Sequence, residues 1–558
     1  MGVDSSDSGV SVTNELVDFV KKSLKEGASI EKIRRKLLKK GWEADAVDLA
    51  INQTETGSTI KQPSFKEEKE IKKYDITSKD IPLTVRIVKA KGEYVPIYEV
   101  SLSSIGPSTQ IILENIRKDL ISKVNLGMVD ITDPKKSSYV EDKFFDATQL
   151  LVKKYFPAAD DFTIKYLTSY MVQKSLGMGD IELLMADAQL EEIAINSSEE
   201  PVWVFHREFG WLKTNIVMNS EAQTRHYAAM IGRKVDRQIS SLEPLMDAHL
   251  DGGDRVNAAL MPVSTKGNTI TLRKFAAKPW TMTDFIRTNT LSASASALIW
   301  QGIQFELSTL IAGGTASGKT SMLNAIGNFF PPNQRILSIE DTREIQLPKF
   351  LHWIPMVTKF ANTEGRGEVT MLDLLVNSLR QRPDRILVGE IRREKEAEVL
   401  FEAIHTGHSV YATVHANSTQ ETITRLTSPP IEVPKSMLPA LSLIIVQFRN
   451  RRTGTRRTFE LSEIKENGDP NILMKYDIKK DILQNKNKSS TILKTLEMYA
   501  GFTEQEVKGQ LTEKETILKW LVKQNINMVD DVGRVMAEYY TDKENLLKTV
   551  KKNKKFEG

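Results

Sequence analysis

Residues 307–329, LSTLIAGGTASGKTSMLNAIGNF, pass from an apolar run through a glycine-rich turn into an amphipathic stretch. Gly313, Gly318, Lys319 and Thr320 satisfy G-x-x-x-x-G-K-[ST], the pattern of a phosphate loop between a strand and a helix. The chemistry needs these residue types. Glycines let successive backbone N–H groups curl around a polyphosphate, and a helix starting near Lys319 turns its positive end toward the same anion. The spacing predicts that Gly313, Gly314, Thr315, Ala316, Ser317, Gly318, Lys319, Thr320 and Ser321 bind a nucleotide. Lys319 would reach the β- and γ-phosphates, and the Thr320 hydroxyl would ligate Mg²⁺.

Composition limits what that loop can serve. A chain of 558 residues predicts three or four domains, and 40% hydrophobic content is enough for packed cores. Lysine and arginine total 77 against 73 acidic residues, so the net charge of +4 argues against a general polyanion-binding surface and against nucleic acid as partner. Cysteine is absent, which excludes disulfides and cysteine-ligated zinc and fits an intracellular setting. The longest nearly uncharged apolar stretch, 437–448, is too short to span a bilayer, and the first residues lack a charged-then-apolar leader, so the chain reads as soluble. MGVDSS matches a myristoylation pattern but reads better as a solvated tail.

Working outward from the loop, the patterning divides the chain into segments. Residues 1–53 place Leu16, Val17, Val20, Ile30, Ile33 and Leu37 at helical spacing broken at Gly27 and Gly41, which predicts a small three-helix module. Residues 54–75 are polar and charge-dense, the composition of a linker. Residues 76–143 combine strand-like runs at 83–88 and 95–100 with a helix-like run at 111–124, an N-terminal α/β domain. Residues 144–288 are helical at first, then strand-like in EEIAIN, PVWVFH and GWLKTN, and end in the basic strand ITLRKF: a further α/β domain. Within 289–480 the polar segment TNTLSASAS leads into the loop. Beyond it RILSI, DRILV, SVYATV and SLIIVQF are apolar runs separated by helix-like segments, the pattern of a mostly parallel sheet with crossover helices. Residues 490–550 return to helical periods and predict a small helical appendage with a frayed, lysine-rich end.

Two of the apolar runs end in acids, Glu340 and Asp341 in SIED and Glu390 in ILVGE. The C-terminal edge of a parallel sheet is where an α/β protein places its ligand. Glu390 is therefore expected to hold Mg²⁺, directly or through water, or to polarise the attacking water, with Glu340 the other candidate base. Acids at strand ends also cap helices, so the pair beside a phosphate loop says more than either alone. Only 7 histidines are present, yet His405, His408 and His415 crowd into AIHTGHSVYATVHAN. H-x6-H across a strand is not a zinc signature, and sensing of the γ-phosphate is the more economical reading.

Taken in order, GGTASGKTS, SIEDTREIQLP, LLVNSLRQRPDRILVGEIR and TGHSVYATVHANS resemble the Walker A, Asp box, Walker B and His box of the type II/type IV secretion ATPase superfamily. EDT, the RQRPD run and the lack of a tetracysteine motif are most similar to its archaeal branch, which assembles archaella and type IV-like pili. The resemblance covers about 165–465, including LEEIAIN, PLMDAHLDGGDRVNAALMP and TITLRKF. It implies a homo-hexameric ring of subunits, each with a PAS-like domain (144–288) and a RecA-like domain (289–480), with ATP at their junction. It further implies a cytoplasmic site of action at the inner face of the membrane, beside a polytopic platform protein that handles pilin-like subunits. By the same resemblance Glu340 is the base, Glu390 the Walker B acid, and His408 and His415 a phosphate-sensing pair. Arg255 and Arg273 look like arginines that approach the phosphates from the adjoining domain, with Arg380, Arg382, Arg392 and Arg393 as rivals. Residues 14–52 lie outside the shared region, and Thr342-Arg343-Glu344 leaves open which acid of the Asp box is the base. A DNA translocase on the same motor core is the alternative.

Overall fold

The structure, a computed structural model, describes residues 36, 68–102, 109, 112–113, 115–117, 119–120, 137–235, 237–250, 252–275, 278–361 and 365–556. Apart from Lys36, the helical module expected over 1–53 lies outside these residues, as does most of the linker expected over 54–75. The chain divides into two compact units. Among the described residues the smaller holds strand β1 (Glu68–Ser78) up to Asp75, most of β2 (Ile81–Ala90) and β3 (Ile97–Leu102), and Lys213–Asn215. Residues 68–75 are thus strand and not linker. Exposed and half-buried positions alternate along EKEIKKYDITS, with Lys72 and Tyr74 half-buried, so its charges belong to an edge strand that lysine protects from further pairing. Within this unit the Asn215 side chain exchanges two hydrogen bonds of 3.0 Å with the Val100 backbone.

The larger unit begins with helices α1 (Ser137–Tyr155), α2 (Asp161–Leu176) and α3 (Asp180–Met185). Strands β4 (Leu190–Ile195), β5 (Pro201–His206) and β6 (Gly210–Val217), the last without its Lys213–Asn215 stretch, which belongs to the smaller unit, match the three strand-like runs of the sequence. Helix α4 (Glu221–Lys234), capped by the Ser220 hydroxyl, leads to β7 (Leu245–His249), β8 (Arg255–Ala259) and β9 (Thr269–Arg273). The strands line up as β5-β4-β9-β8-β7, each pair antiparallel. That register sets His249 opposite Arg255 and Arg255 opposite Arg273, a row of three nitrogenous side chains at one end of the sheet.

The second sheet starts after α5 (Met282–Arg287) and α6 (Ala293–Gln304). TNTLSASAS is more than a polar connection: Ser292 caps α6, and Ala293, Ala295, Ser296 and Ala297 are buried, because side chains this small allow another helix to approach closely. Chain order is then β10 (Thr309–Gly313), α7 (Lys319–Gly327), β11 (Arg335–Glu340), β12 (His352–Val357), α8 (Met371–Ser378), β13 (Arg385–Val388), α9 (Glu394–His405), β14 (Ser409–Val414) and α10 (Thr419–Thr427). The meander β15 (Leu443–Arg449), β16 (Arg456–Ile464), β17 (Pro470–Asp477) and β18 (Ile482–Asn485) completes the sheet. Across it the order is β12-β11-β13-β14-β10-β15-β16-β17-β18, parallel as far as β15 and antiparallel beyond. Strands β10, β13 and β14 are buried throughout, which is why their sequences read as unbroken apolar runs.

Successive residues of β10 serve opposite cores, as strand geometry requires. Leu310 and Ala312 pack with residues of α8, α9 and α10. Ile311 joins a core built with α5, α6, α7 and the last helices, α11 (Thr491–Ala500), α12 (Glu504–Lys523), α13 (Val529–Thr541) and α14 (Lys543–Lys551). The C-terminal helices are therefore no appendage. Ile517, Trp520 and Leu521 of α12 and Val535 of α13 share their core with Met322 and Ile326 of α7, since an amphipathic helix needs a surface on which to bury its stripe. Polar ties reinforce the packing. Asn328 donates to Val529 O at 3.1 Å and the Tyr540 hydroxyl to Phe329 O at 2.8 Å. Lys514, fully buried, donates to Gln301 Oε1 at 2.6 Å and to the Tyr539 hydroxyl at 3.1 Å, with its ammonium 5.5 Å from the Trp300 ring. Burial pulls its pKa down to about 7, against the attraction of Glu513.

Candidate active site

The loop between β10 and α7 closes on itself as the glycine pattern predicts. Gly318 ends it at φ 98° and Ala316 sits at φ 57°, both in the left-handed region. A side chain at Gly313 would fall 2.3 Å from Ser317 Oγ and 2.8 Å from Gln447 O, so only glycine fits where β10 turns. Ser317 Oγ donates back to Gly314 O at 2.8 Å. Lys319, Thr320 and Ser321 form the first turn of α7, whose N–H groups have no acceptor inside the helix. The Lys319 ammonium donates to Gly313 O at 3.0 Å and Gly314 O at 3.3 Å and lies 3.4 Å from His415 Nε2. Burial holds its pKa below the usual lysine value, while Glu390 and Glu344 pull the other way.

On the β14 side of the loop the charges are linked in series. His415 Nε2 stands 3.1 Å from Glu390 Oε1, and Glu390 Oε2 accepts from Arg392 Nη2 at 2.7 Å and Nε at 3.1 Å. Arg392 Nη1 reaches on to Asp341 Oδ2 at 2.6 Å. Burial, then the Lys319 charge, keep His415 below its ordinary pKa, against the pull of Glu390, which favours the neutral ring, whose Nε2 either donates to Glu390 or accepts from the Lys319 ammonium, according to its tautomer. Glu390 comes within reach because β13 pairs with β11, and the Gly389 N–H donates to Ile339 O at 2.8 Å, next to Glu340.

Glu340 behaves differently from Glu390. It is 2% exposed, its Oε1 accepts from the backbone of Glu344 at 2.9 Å and Ile345 at 3.0 Å, and its Oε2 is buried with no partner among the described residues. Burial raises its pKa to about 8, although those two amides favour the anion. At pH 7 it carries a proton and organises the turn that holds Asp341 and Glu344.

That turn meets the row of nitrogenous side chains on β7, β8 and β9. Arg273 pairs with Glu344 at 3.1 Å, and Thr342 Oγ1 lies 2.7 Å from His249 Nε2. Arg255 is held by Asp247 in a two-pronged pair of 3.0 and 2.5 Å. Between this row and Glu390 opens a cleft of about 740 Å³ bordered by Arg255, His249, Asp341, Glu390, Arg392 and Arg393.

The geometry brings together Lys319, Glu340, Glu390, His415, Arg255 and Arg273 but leaves His408 out. His408 precedes β14 and His415 follows it, so a whole strand, about 20 Å, separates them. His408 Nδ1 lies 3.2 Å from both Thr406 Oγ1 and Ala403 O at the far edge of the sheet. The two histidines therefore stand at opposite ends of β14, because six extended residues carry one away from the other. Arg380 and Arg382 precede β13 and stand at that far edge too, exposed, while Arg392 lies in the charge series. Sequence reading missed Asp247 and His249, and it named Glu344 only as a rival acid of the Asp box and not as the partner of Arg273; these roles depend on the meeting of two distant segments. It also missed Arg456, whose Nε donates to Ala316 O of the loop at 3.0 Å. The doubled arginines in RRTGTRR were the available signal. Among the described residues no group of three His, Asp or Glu is arranged to hold a metal, and no helix is long and apolar enough to cross a membrane.

Fold and site together define an α/β protein with a phosphate loop at the C-terminal edge of a parallel sheet. The model of the family described as type II/IV secretion system protein matches residues 247–467. MJ1287 of Methanocaldococcus jannaschii is 38% identical over 265 residues, 46% of this chain and 97% of that protein. The type IV secretion system protein PtlH of Bordetella pertussis is 30% identical over 303 residues, 48% of this chain and 88% of PtlH. MJ0900 of M. jannaschii is 37% identical over 300 residues, 53% of this chain; the match spans 54% of MJ0900, about half its length. The chain belongs to the type II/IV secretion system protein family, and its Methanocaldococcus relatives agree with the archaeal branch.

Proposed function

We propose that this chain is the ATPase subunit of a type II/type IV secretion, pilus or archaellum assembly machine. It hydrolyses Mg-ATP and passes the work to a polytopic membrane platform protein that handles pilin-like subunits. The observation that carries this reading is the contact series from Lys319 through His415, Glu390 and Arg392 to Asp341 beside the phosphate loop. In it, residues 144–288 are a PAS-like domain, 289–480 a RecA-like motor domain, and six copies close a ring at the inner face of the cell membrane.

The residues present suit the reaction. With ATP in place, the Lys319 ammonium exchanges the carbonyls of Gly313 and Gly314 for phosphate oxygens, and the first-turn amides of α7 cradle the rest. The Thr320 hydroxyl and the Glu390 carboxylate are hard oxygen donors of the kind Mg²⁺ takes alongside substrate phosphates. Bound there, the ion would neutralise charge on the transferred phosphoryl group. Glu390 then trades its bond to Arg392 for that role. Glu340, once ionised, accepts the proton of the attacking water, and His415 reports the γ-phosphate to Glu390. Arg255 and Arg273 are parked on carboxylates and, when released, supply the planar, permanent charge that stabilises a phosphoryl transition state.

The test measures phosphate release and nucleotide binding by the full chain, Lys319→Ala and Glu390→Gln, with particle mass by light scattering in ATP. Turnover lost in both variants, nucleotide still bound by Glu390→Gln, and a six-subunit mass are expected. A wild-type chain that never turns over ATP, or does so only with DNA, sinks the proposal.

A further inference from the structure

The sheet order gives the phosphate loop two sides. Strand β10 lies between β14 and β15. Lys319 leans toward β14, and beyond it stand His415, Glu390 and Glu340. A polyphosphate whose terminal group meets these residues must carry its nucleoside toward β15.

On that side Gly313 is paired with Gln447, and across the next ladder Gln447 faces Thr458 and Arg449 faces Arg456. A register shift between Val446 and Gln447 breaks the ladder at this point, as bulges beside functional sites do when they re-aim a strand end. Arg456 grips the loop at Ala316 O, the carbonyl of its left-handed non-glycine residue. Arg449 has a buried Nε–H without an acceptor, and Gln447, 1% exposed, has an Oε1 without a donor, its Nε2 being used by Thr458 at 2.9 Å. Among the described residues neither arginine is in an ion pair. Burial, and then the charge of Arg449, hold Arg456 below its ordinary pKa against the pull of Glu191. Two guanidinium groups on paired strand positions, neither in an ion pair and one with a buried, unused donor, amount to a receptor for an anion.

We propose that Arg449 and Arg456 form the nucleoside-end subsite of the phosphate loop, taking the α-phosphate of a nucleoside di- or triphosphate, and that Arg456 also positions the loop through the Ala316 carbonyl. This rests on the reading of the loop as a nucleotide site. The two phosphate ends are then read by different chemistry. The acids, His415 and Lys319 serve the γ end, whereas Arg449 and Arg456 serve the α end. ADP keeps every contact on the arginine side.

ADP and ATP affinities by calorimetry, with steady-state turnover, test this in the full chain. Arg449→Gln and Arg456→Gln are each expected to weaken ADP and ATP by the same factor, about tenfold. For Arg449→Gln, KM should rise by that factor with kcat unchanged. Arg452→Gln, exposed on the tip of the same hairpin, should match wild type in all three quantities. Melting without nucleotide shows whether Arg456→Gln has disturbed the loop; if it has, Arg449→Gln decides, since no contact of Arg449 to the loop is involved. A loss confined to ATP would place these arginines at the γ-phosphate and overturn the proposal, as would unchanged affinities in Arg449→Gln. A wild-type chain that binds neither nucleotide would overturn the reading of the loop itself.

Discussion

The two edges of the parallel sheet use the same residue types in opposite ways. At the C-terminal edge Arg392, more than half exposed, holds Glu390 and Asp341, and Lys319 rests on two carbonyls and a histidine. At the N-terminal edge Arg385 is fully buried. It donates to Ile303 O at 2.8 Å and to the side chains of Gln334 and Tyr411, with its guanidinium 4.8 Å from the Phe330 ring. The difference lies in the partners. Charges that face other movable charges can exchange them for a ligand, whereas a charge whose donors all end on neutral groups of the core has nothing to exchange. Strand β14 joins the two edges, with His415 in the first setting and His408 in the second.

This contrast is open to attack from both edges. The largest effect is expected from Lys319→Ala, which should lower ATP turnover by about 10²–10³-fold and leave the urea midpoint in place; a shifted midpoint would mean that the loop lysine is structural. Arg385→Met should do the converse and destabilise the chain by about 3 kcal/mol, because Ile303 O and the Tyr411 hydroxyl lose their donor. Its folded fraction should keep wild-type turnover, and a catalytic defect there would erase the distinction between the edges.

Acid–base behaviour sharpens the comparison at a smaller scale. Glu340 binds its proton more tightly when folded, so stability falls as pH rises from its ordinary 4.5 to about 8 and is level beyond. Lys514 binds its proton less tightly when folded, so stability rises with pH between about 7 and its ordinary 10.5. Chemical denaturation of Glu340→Gln and Lys514→Met across these windows should flatten the first slope and the second, respectively, each by a few kcal/mol on the order set by burial. A slope unchanged in its own variant would show that another group is responsible. The smallest effects separate the two histidines. His415→Ala is expected to lower turnover about tenfold and His408→Ala to leave it within about twofold. Equal losses would show that His408 enters the chemistry by some route other than its own strand.

Much of this arrangement was legible in the sequence. The loop is contiguous, so spacing alone located Gly313, Gly318, Lys319 and Thr320. Glu340, Glu390 and His415 were legible because the ends of unbroken apolar runs become the edge of a parallel sheet. What stayed hidden depended on register or on distant segments meeting. The pairing of Arg255 with Asp247 and the approach of Glu344 to Arg273 need the fold of both sheets. The distance from His408 to His415 was itself legible in SVYATV, the strand-like run between them. The charges of EKEIKKYDITS concealed a strand because composition registers polarity but not its alternation. The C-terminal helices read as an appendage because their apolar stripes name no partner.

Helix α7 is held at both of its ends. One end is the glycine-rich loop, from which Lys319 and Thr320 open the helix. At the other, Asn328 and Phe329 are bonded to Val529 and Tyr540 in the C-terminal helices. Nine residues of helix make a rigid rod about 14 Å long. On the proposed reading, a shift of the loop when phosphate enters or leaves is expected either to carry the C-terminal helices with it or to break these two hydrogen bonds and disturb the shared core.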